Sequence, residues 1–381
     1  EEDGLKTEII KTSRKKERKN PPLLYNLAEL QNDCSKLFKI SPDETLKVSQ
    51  ELYEKKLITY PRTDARVLST AVAKDIEKHI KGLASIDKFR GFTHEILNQT
   101  TYKKLGKRYV NDSKITDHYA IIPTGQGLSA LKSISDLSVK IYELIVRRFL
   151  SIFYPAAVYR RVQITFDIGK EMFFSSFRAL EEEGYLKVAN LPKKEKDKNE
   201  EGEEETEQSL LEFVMKLKKG MLVPVKEINM KEGETSPPKR YSSGTLILAM
   251  ENAGQLIEDE ELRAQIRGSG IGTSATRAEI LSKLVKTSYL KLNKKTQIIS
   301  PTLKGELIYE VVNMSISSLL NPELTASWEK GLTYVTEGSI TTEEYMEKLE
   351  AFVRRRVNAV KNLNKQTALE GAFRRVASYY K

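Results

Sequence analysis

The feature that most constrains the fold of this chain is a change in the spacing of its apolar residues at Tyr154-Pro155. After this point, residues 158–168 alternate between apolar and polar side chains, which predicts a strand with one buried face. Before it, from about 23 to 153, the pattern is helical. We therefore predict a multidomain α+β protein in which a helical block interrupts a β-rich region. The clearest helical face consists of Val139, Tyr142, Val146, Phe149 and Phe153.

Other segments also have strand character. Thr7–Ile10 precedes a basic run that ends at Lys19, and we interpret this run as a solvated face. Further strands are expected around Met172–Leu180 and Met221–Asn229. Between them, the charged stretch from Lys193 to Gln208 contains no hydrophobic residue and predicts a mobile loop.

Capping residues mark several helix boundaries. Ser41 is expected to start one helix, and Ser69 to Ile80 is expected to form another, with Gly82 just past its end. Thr341 and Glu344 form a capping box for a last long helix. The apolar face of that helix, which we expect to pack, consists of Tyr345, Leu349, Phe352, Val353, Val357 and Val360.

The segment after Pro237-Pro238 predicts a helix, a hairpin and a second helix. Thr276–Lys286 has a helical pattern, Tyr289–Leu292 and Gln297–Ile299 are expected to pair, and a helix follows Pro301. This order is compatible with a winged-helix unit.

The charge balance favours a polyanionic partner. The chain has 63 Lys and Arg against 53 Asp and Glu, a net charge of +10, which favours nucleic acid or an anionic membrane surface. The sequence contains no run of about 18 apolar residues, so it predicts no membrane-spanning helix. The single cysteine, Cys34, excludes an intramolecular disulfide and a cysteine-cluster zinc site, and it favours a cytoplasmic setting.

The sharpest chemical motif is Thr59-Tyr60-Pro61-Arg62-Thr63-Asp64. Pro61 disfavours a helical backbone at Tyr60, so the phenol is expected on a loop. A phenol has a pKa near 10 and attacks poorly unless neighbours stabilise the phenolate. Arg62 is the cation that would do so, and it would also neutralise a phosphate in the transition state. Because the chain has 17 tyrosines, a structural role for Tyr60 is the competing interpretation.

A second motif, Asp112 to Thr124, contains Asp117-His118-Tyr119 and ends in Ile121-Ile122-Pro123-Thr124. His118 could donate a hydrogen bond to a phosphate oxygen or a proton to a leaving oxygen. A surface histidine in a loop is the alternative.

Together, the two motifs resemble the active-site region of type IA DNA topoisomerases, in the form found in bacterial topoisomerase III. Pro21–Leu27, Pro238–Leu246, Gly270–Ile280 and Leu324–Glu329 resemble further stretches of the same family. The resemblance implies an ATP-independent isomerase that passes DNA strands through a transient single-strand break.

The resemblance also implies residue roles. Tyr60 would become linked to a 5′-phosphate, Arg62 would contact the scissile phosphate, and His118 would hold a neighbouring phosphate or help proton movement. Single-stranded DNA would be the partner of a monomeric, nucleoid-associated enzyme. The expected DNA contacts are Gln31, Thr63, Asp117, Thr124, Arg240, Thr273, Thr276 and Arg277.

The resemblance implies a ring-shaped core. A β-rich arch would comprise 1–30 and 151–238, the tyrosine domain 31–150, and a helical domain with the DNA groove and the winged-helix unit 239–381. The family's metal-binding domain, which holds Mg²⁺ through a Glu and an Asp-x-Asp-x-Glu cluster, has no counterpart here, and no metal ligands are expected in this chain. We therefore expect the chain to be a fragment that is inactive alone.

Two other classes of function remain open at this stage. A non-catalytic module that binds single-stranded nucleic acid would explain the charge without any chemistry. A tyrosine recombinase also uses Tyr, Arg and His, but it requires His-x-x-Arg and a late tyrosine, whereas Ile121 stands three residues after His118. A basic membrane-surface protein is disfavoured because no basic amphipathic helix presents an aromatic face.

Overall fold

The β-rich part of the chain is a four-stranded antiparallel sheet. The protein is described by a computed structural model in which residues 6–189, 210–257, 260 and 270–380 are placed. The strands are β1 (Lys6–Lys19), β2 (Ala157–Ile168), β3 (Glu171–Glu182) and β4 (Leu222–Pro224). Their order in the sheet is β3-β2-β1-β4, and the strands predicted at 158–168 and Met172–Leu180 are confirmed. The predicted loop at 193–208 lies outside the described residues.

Two strand boundaries differ from the sequence-based expectation. The strand begun at Thr7 continues through the basic run to Lys19, because β2 pairs with it along this whole length. Lys16 also pairs with Glu181 on β3 at 3.1 Å, so this run is part of the sheet and not a free solvated face. The strand expected at Met221–Asn229 is short, since only Leu222–Pro224 pairs with β1.

The contacts between residues divide the chain into two compact units. Unit 1 holds the described residues of Glu1–Leu24, Val67–Ile115 and Ile122–Pro237, and unit 2 holds those of Tyr25–Arg66, Thr116–Ile121 and Pro238–Lys381. Residues 57–64 and the central part of the second motif, residues 116–121, therefore belong to the same unit, whereas residues 112–115 and 122–124 of that motif belong to unit 1. The predicted division into three domains stays a prediction.

Unit 1 combines the sheet with helices. One face of the sheet is closed by Val214 and Leu217, which pack against Ile9, Val162 and Ile164. The helices of this unit are α3 (Thr70–Leu83), α4 (Asp87–Gln99), α5 (Asp136–Ser151), α6 (Leu186–Ala189) and a helical segment at 210–216. Short 3₁₀ turns lie at Thr101–Lys104, Asp112–Lys114 and Leu128–Lys132.

Unit 2 is mainly helical. Its elements are α1 (Leu27–Phe38), α2 (Pro42–Glu54), α7 (Ser243–Glu251), α8 (Arg277–Lys286), β5 (Leu290–Leu292), β6 (Ile299–Pro301), α9 (Leu303–Ile316), α10 (Pro322–Thr336), α11 (Thr342–Lys361) and α12 (Gln366–Ser378), with 3₁₀ turns at Ala253–Leu256 and Ser317–Leu320.

The core of unit 2 joins α1 to a distant part of the sequence, because Ala28 packs with Ile247, Leu281 and Ile299. The predicted order of helix, hairpin and helix is confirmed in α8, β5, β6 and α9. Ser41 and Thr341 cap α2 and α11 as expected.

The apolar face predicted for α11 is only partly packed. Tyr345 and Phe352 each contact the Trp328 ring of α10 edge-on, with ring centroids 5.6 Å apart. Val353 and Val357 are 49% and 46% exposed. The expectation of a fully packed face was therefore wrong for the second half of the helix. Among the described residues, no helix combines the length and apolar character needed to cross a bilayer.

Gly82 does not follow helix α3 as predicted but lies in its last turn. A Cβ atom at this position would lie 2.2 Å from the carbonyl oxygen of Gly125, so the two backbones approach too closely for any side chain. The sequence signal of a glycine near a helix end was correct, but its cause is close packing and not a helix cap.

We predict opposite stability effects for two glycine substitutions in unit 1. Gly82→Ala forces the Gly125 backbone to move and should lower the free energy of unfolding by about 2 kcal/mol. Gly91→Ala, in the exposed interior of α4 with nothing near its Cβ position, should raise it by about 0.8 kcal/mol. Urea unfolding followed by circular dichroism measures both. Equal effects of the two variants would contradict the close approach at Gly82.

Candidate active site

Tyr60 lies on a loop, residues 57–64, that we call the tyrosine loop. Leu57 and Ile58 are fully buried, and Thr63 is buried further along. Pro61 is also buried, whereas Tyr60 is partly exposed and Arg62 is exposed. The apolar side chains anchor the loop, and the reactive groups are left at the surface.

The tyrosine loop is hydrogen-bonded to residues 116–121, which we call the histidine segment. The Thr59 hydroxyl donates to the carbonyl oxygen of Ala120 at 3.0 Å, and the Thr63 hydroxyl donates to that of His118 at 2.8 Å. Two threonine side chains thus fix the spacing between the two motifs. This explains how residues separated by 55 positions or more form one site.

The rings of Tyr60 and His118 are in contact. Their centroids are 4.4 Å apart and the ring planes are inclined by 44°. The Tyr53 ring packs edge-on against Tyr60 from the other direction, at 5.4 Å. His118 is exposed, so a phosphate could approach the phenol and the imidazole from solvent at the same time.

Tyr53, Tyr60 and Tyr119 lie in this region. Tyr119 is adjacent to His118 in sequence, but burial raises the pKa of its phenol and disfavours the phenolate. Tyr53 is exposed and has Lys55 two residues away, and Tyr60 has Arg62 at the same spacing. Of the three, Tyr60 is the one whose ring contacts the His118 ring.

A buried guanidinium supports the tyrosine loop from below. The Arg277 side chain is 1% exposed, and its Nη1 donates to Oδ1 of Asp64 at 2.9 Å. It also donates to the carbonyl oxygens of Ile271 and Gly272, at 3.2 and 3.1 Å. The Asp64 side chain is 35% exposed, so the pair is buried on the arginine side only. The contact ties the start of α8 to the end of the tyrosine loop.

Asn26 and Glu251 extend this support. Asn26 caps α1 through its Oδ1, and its Nδ2 donates to the Asp64 carbonyl at 3.2 Å and to Glu251 Oε1 at 2.6 Å. Burial raises the pKa of the Glu251 carboxyl above its usual value. Nearby Arg277 opposes this shift in the pKa, and Asp64 adds to it. Asp64, Arg277, Asn26 and Glu251 together form what we call the support network.

The chain matches a known family over most of its length. Residues 2–347 match the family described as DNA topoisomerase. The chain belongs to the DNA topoisomerase family. The DNA topoisomerase 3 of Bacillus subtilis (strain 168) is 35% identical over 359 residues, which are 93% of this chain and 47% of that protein.

Other comparisons agree with the topoisomerase assignment. The DNA topoisomerase 3 of Bacillus licheniformis is 34% identical over 367 residues, 95% of this chain and 48% of that protein. The chain therefore spans about half the length of the curated relatives it matches. The full-length topoisomerase I from Thermotoga maritima shares the fold, with a TM-score of 0.64 at 21% identity over 92% of this chain and 52% of that one. The resemblance to type IA topoisomerases of the topoisomerase III kind is confirmed.

Several residues predicted to contact DNA are exposed. Asp117 and Arg240 lie at the surface of unit 2. Thr273 and Thr276 are exposed at the start of α8, where the Thr276 hydroxyl accepts from the Thr273 backbone N–H at 2.9 Å. Their role toward DNA stays a prediction.

Three others are buried in this structure, and their role toward DNA also stays a prediction. Gln31 is 1% exposed and donates to the Pro42 carbonyl at 3.0 Å. Thr63 and Arg277 serve the tyrosine loop from inside, as described above. Thr124 is partly exposed and belongs to unit 1, unlike the rest of the predicted site.

Sequence reasoning missed the support network. Asn26 lies in a stretch that was quoted for its family resemblance, but its dual role as a helix cap and a loop anchor has no local signature. Glu251 ends a helix whose pattern does not distinguish it from a solvated glutamate. Asp64 was quoted only as a polar neighbour of Tyr60. Only the fold brings these residues to Arg277.

We predict that Arg277 and Arg62 differ sharply in their effect on stability. Arg277→Met leaves the backbone carbonyls of Ile271 and Gly272 without their donor and Asp64 without its cation, and should lower the free energy of unfolding by about 2 kcal/mol. Arg62→Met removes the same charge from an exposed site and should change it by less than about 0.5 kcal/mol. Urea titration of both variants measures this, and equal losses would contradict a structural role for Arg277.

We also predict a pH dependence that depends on Glu251. Because its pKa is raised in the folded chain, the folded state binds more protons than the unfolded state above the ordinary glutamate pKa of 4.5. Stability from this group is present at low pH and falls as the pH rises through its raised pKa. Glu251→Gln should remove this component, so the difference in unfolding free energy between variant and parent should grow as the pH rises from about 4.5. Parallel pH profiles would refute this.

Proposed function

We propose that this chain carries the strand-cleaving tyrosine of an ATP-independent DNA topoisomerase, with Tyr60 as the nucleophile. The observation that carries the proposal is the contact between the Tyr60 and His118 rings, on two loops that threonine side chains hold together. The Tyr60 phenol is partly exposed, and the Arg62 guanidinium and the His118 imidazole are exposed, so all three groups are open to a phosphodiester from solvent. Family membership supplies DNA as the substrate class.

The chemistry is a transesterification. The Tyr60 oxygen forms a bond to phosphorus, the bond between phosphorus and the 3′-oxygen breaks, and the phenolic proton is transferred while the leaving oxygen gains one. The product is a 5′-phosphotyrosine and a free 3′-hydroxyl. Arg62 stabilises negative charge on the phosphate, and His118 holds a phosphate oxygen or assists proton movement.

Resealing reverses the same step. The 3′-hydroxyl attacks the phosphotyrosine, and Tyr60 leaves. Because one phosphoester replaces another in each direction, no nucleotide is needed, and the chain contains no Gly-x-x-x-x-Gly-Lys-Ser/Thr phosphate loop. Strain in supercoiled DNA would drive the passage of the strand.

The substrate is proposed to be single-stranded. Arg240, Thr273 and Thr276 offer a cation and two hydroxyls at the surface of unit 2, which suits contacts with a phosphate backbone. Such contacts position a strand without reading its sequence. We infer that any preference for a DNA sequence does not come from these backbone contacts.

Magnesium is expected for the complete enzyme through ligands outside this chain. Within the described residues, no group of three His, Cys, Asp or Glu side chains could hold a metal ion. The described side chains therefore do not fit a magnesium site, and no step is assigned to the ion here.

We predict that Tyr60 alone forms a covalent link to DNA once the family's metal-binding domain is joined to this chain. A single-stranded oligonucleotide labelled at its 3′ end should transfer its label to the protein, because Tyr60 retains the 5′-phosphate. Tyr60→Phe should abolish the transfer and keep DNA binding. Arg62→Ala should slow it about 100-fold.

Tyr53→Phe is the matched control, since it removes the same hydroxyl from the neighbouring ring and should leave the transfer unchanged. Transfer of a 5′-terminal label instead, or labelling of the Tyr60→Phe variant, would contradict the proposal. Binding without any transfer would favour the alternative of a non-catalytic binding module. The 381-residue chain on its own should not relax a supercoiled plasmid in magnesium.

A further inference from the structure

The sheet of unit 1 has one face that its core does not use. Ile9, Val162 and Ile164 point to the side closed by Val214 and Leu217. Thr12 and Arg14 of β1 pair with Ile164 and Val162 and share their side, so Lys11, Ser13 and Lys15, which alternate with them, point to the other side. A shift in register between Ile9 and Lys11 places Ile9 on the covered side. We call this second side the open face.

The register of the strands defines the open face as three rows. Directly paired residues share a face of an antiparallel sheet, so each residue of β1 has neighbours on β2 and β3. The three rows are Lys11-Thr165-Phe174, Ser13-Gln163-Ser176 and Lys15-Arg161-Arg178.

The first two rows and Lys15 line a groove of about 390 Å³. Its floor is polar, with the hydroxyls of Ser13 and Ser176 and the amide of Gln163. The Phe174 ring borders the groove and is 78% exposed, so it contributes little to the core. A single bare ring beside hydroxyl and amide groups suits a planar ligand with hydrogen-bonding edges.

The charges of the open face are mainly positive. Within the described part of the chain, Lys11 and Lys15 have no ion-pair partner. Arg161 and Arg178 share one carboxylate, Glu17, at 3.2 and 3.1 Å. The face therefore keeps a surplus of cations beside its aromatic ring.

We propose that the open face binds a single-stranded polynucleotide, with one base stacked on Phe174 and phosphates held by Lys11 and Lys15. The two lysines are four residues apart on an extended strand, about 13 Å, so they can contact different phosphates of one strand. Stacking on an aromatic ring beside a basic groove is how proteins bind single strands without sequence preference. This site shares no residue with the tyrosine loop or the histidine segment.

Photo-cross-linking with mass spectrometry tests the proposal on the 381-residue chain. Irradiation with oligothymidine should produce a cross-linked peptide that contains Phe174. Phe174→Ala should remove that cross-link and lower the affinity of the open face at least about fivefold, whereas Phe174→Tyr should retain both. Because Phe174 is exposed, both variants should fold, and circular dichroism checks this.

The salt dependence of oligonucleotide affinity separates phosphate contacts made by Lys11 and Lys15 from the effect of the overall positive charge. Lys11→Ala with Lys15→Ala should reduce the slope of log affinity against log salt by about 1.4, the loss of two single-strand phosphate contacts. Lys216→Ala with Lys219→Ala is the matched control. It removes the same charge from exposed positions beside Val214 and Leu217, on the covered side of the sheet, and should leave the slope unchanged.

Equal cross-linking of oligouridine at Phe174 would also support the proposal, because the site contacts features that DNA and RNA single strands share. Cross-links only outside the open face, tighter binding of duplex than of single strands at this face, or capture of anionic vesicles in place of the oligonucleotide would overturn it. A failure to cleave DNA through Tyr60 would leave these results unaffected, so the two proposals fail separately.

Discussion

The guanidinium of Arg277 is buried beneath the loop that carries Tyr60, where a positive charge without a partner would cost several kcal/mol. Asp64 and two backbone carbonyls satisfy it, and they do so only when the end of the tyrosine loop lies against the start of α8. Asn26 binds the Asp64 backbone from the side and links it to the half-buried carboxyl of Glu251. The position of the tyrosine loop thus depends on polar contacts made beneath it by residues distant in sequence.

Buried groups hold the loops of the candidate site in place, and the groups proposed to react are exposed. The threonines of the tyrosine loop bind the backbone of the histidine segment, and buried apolar residues hold the loop from below. Tyr60, Arg62 and His118 are left open to solvent without structural duties of comparable strength. A site built this way can bring a phenol and an imidazole to a phosphate with little rearrangement, because the loops are already held at the required spacing.

The features of the fold that depend on neighbouring residues could be predicted from the sequence. Helix caps at Ser41 and Thr341 and the alternation of β2 depend on neighbouring residues, so their patterns were sufficient. Arg277 was expected on the DNA path because the family resemblance implies that role, and the fold buries its side chain. No periodicity distinguishes a buried arginine with a carboxylate partner 213 positions away from an exposed one. The open valines of α11 show the same limit, since an apolar stripe does not state whether a partner helix covers it along its whole length.

The claim on which this account depends is that the tyrosine loop and the histidine segment hold the Tyr60 and His118 rings together before any DNA binds. The chain has only three histidines, so selective labelling of tyrosine and histidine in a deuterated background can isolate these ring signals by NMR. The spectra of Tyr60→Phe and His118→Gln then assign the signals of the two rings. We predict a strong nuclear Overhauser effect between the two rings in the free chain, as expected from centroids 4.4 Å apart. Its absence, with both rings otherwise assigned and the chain folded, would contradict the account.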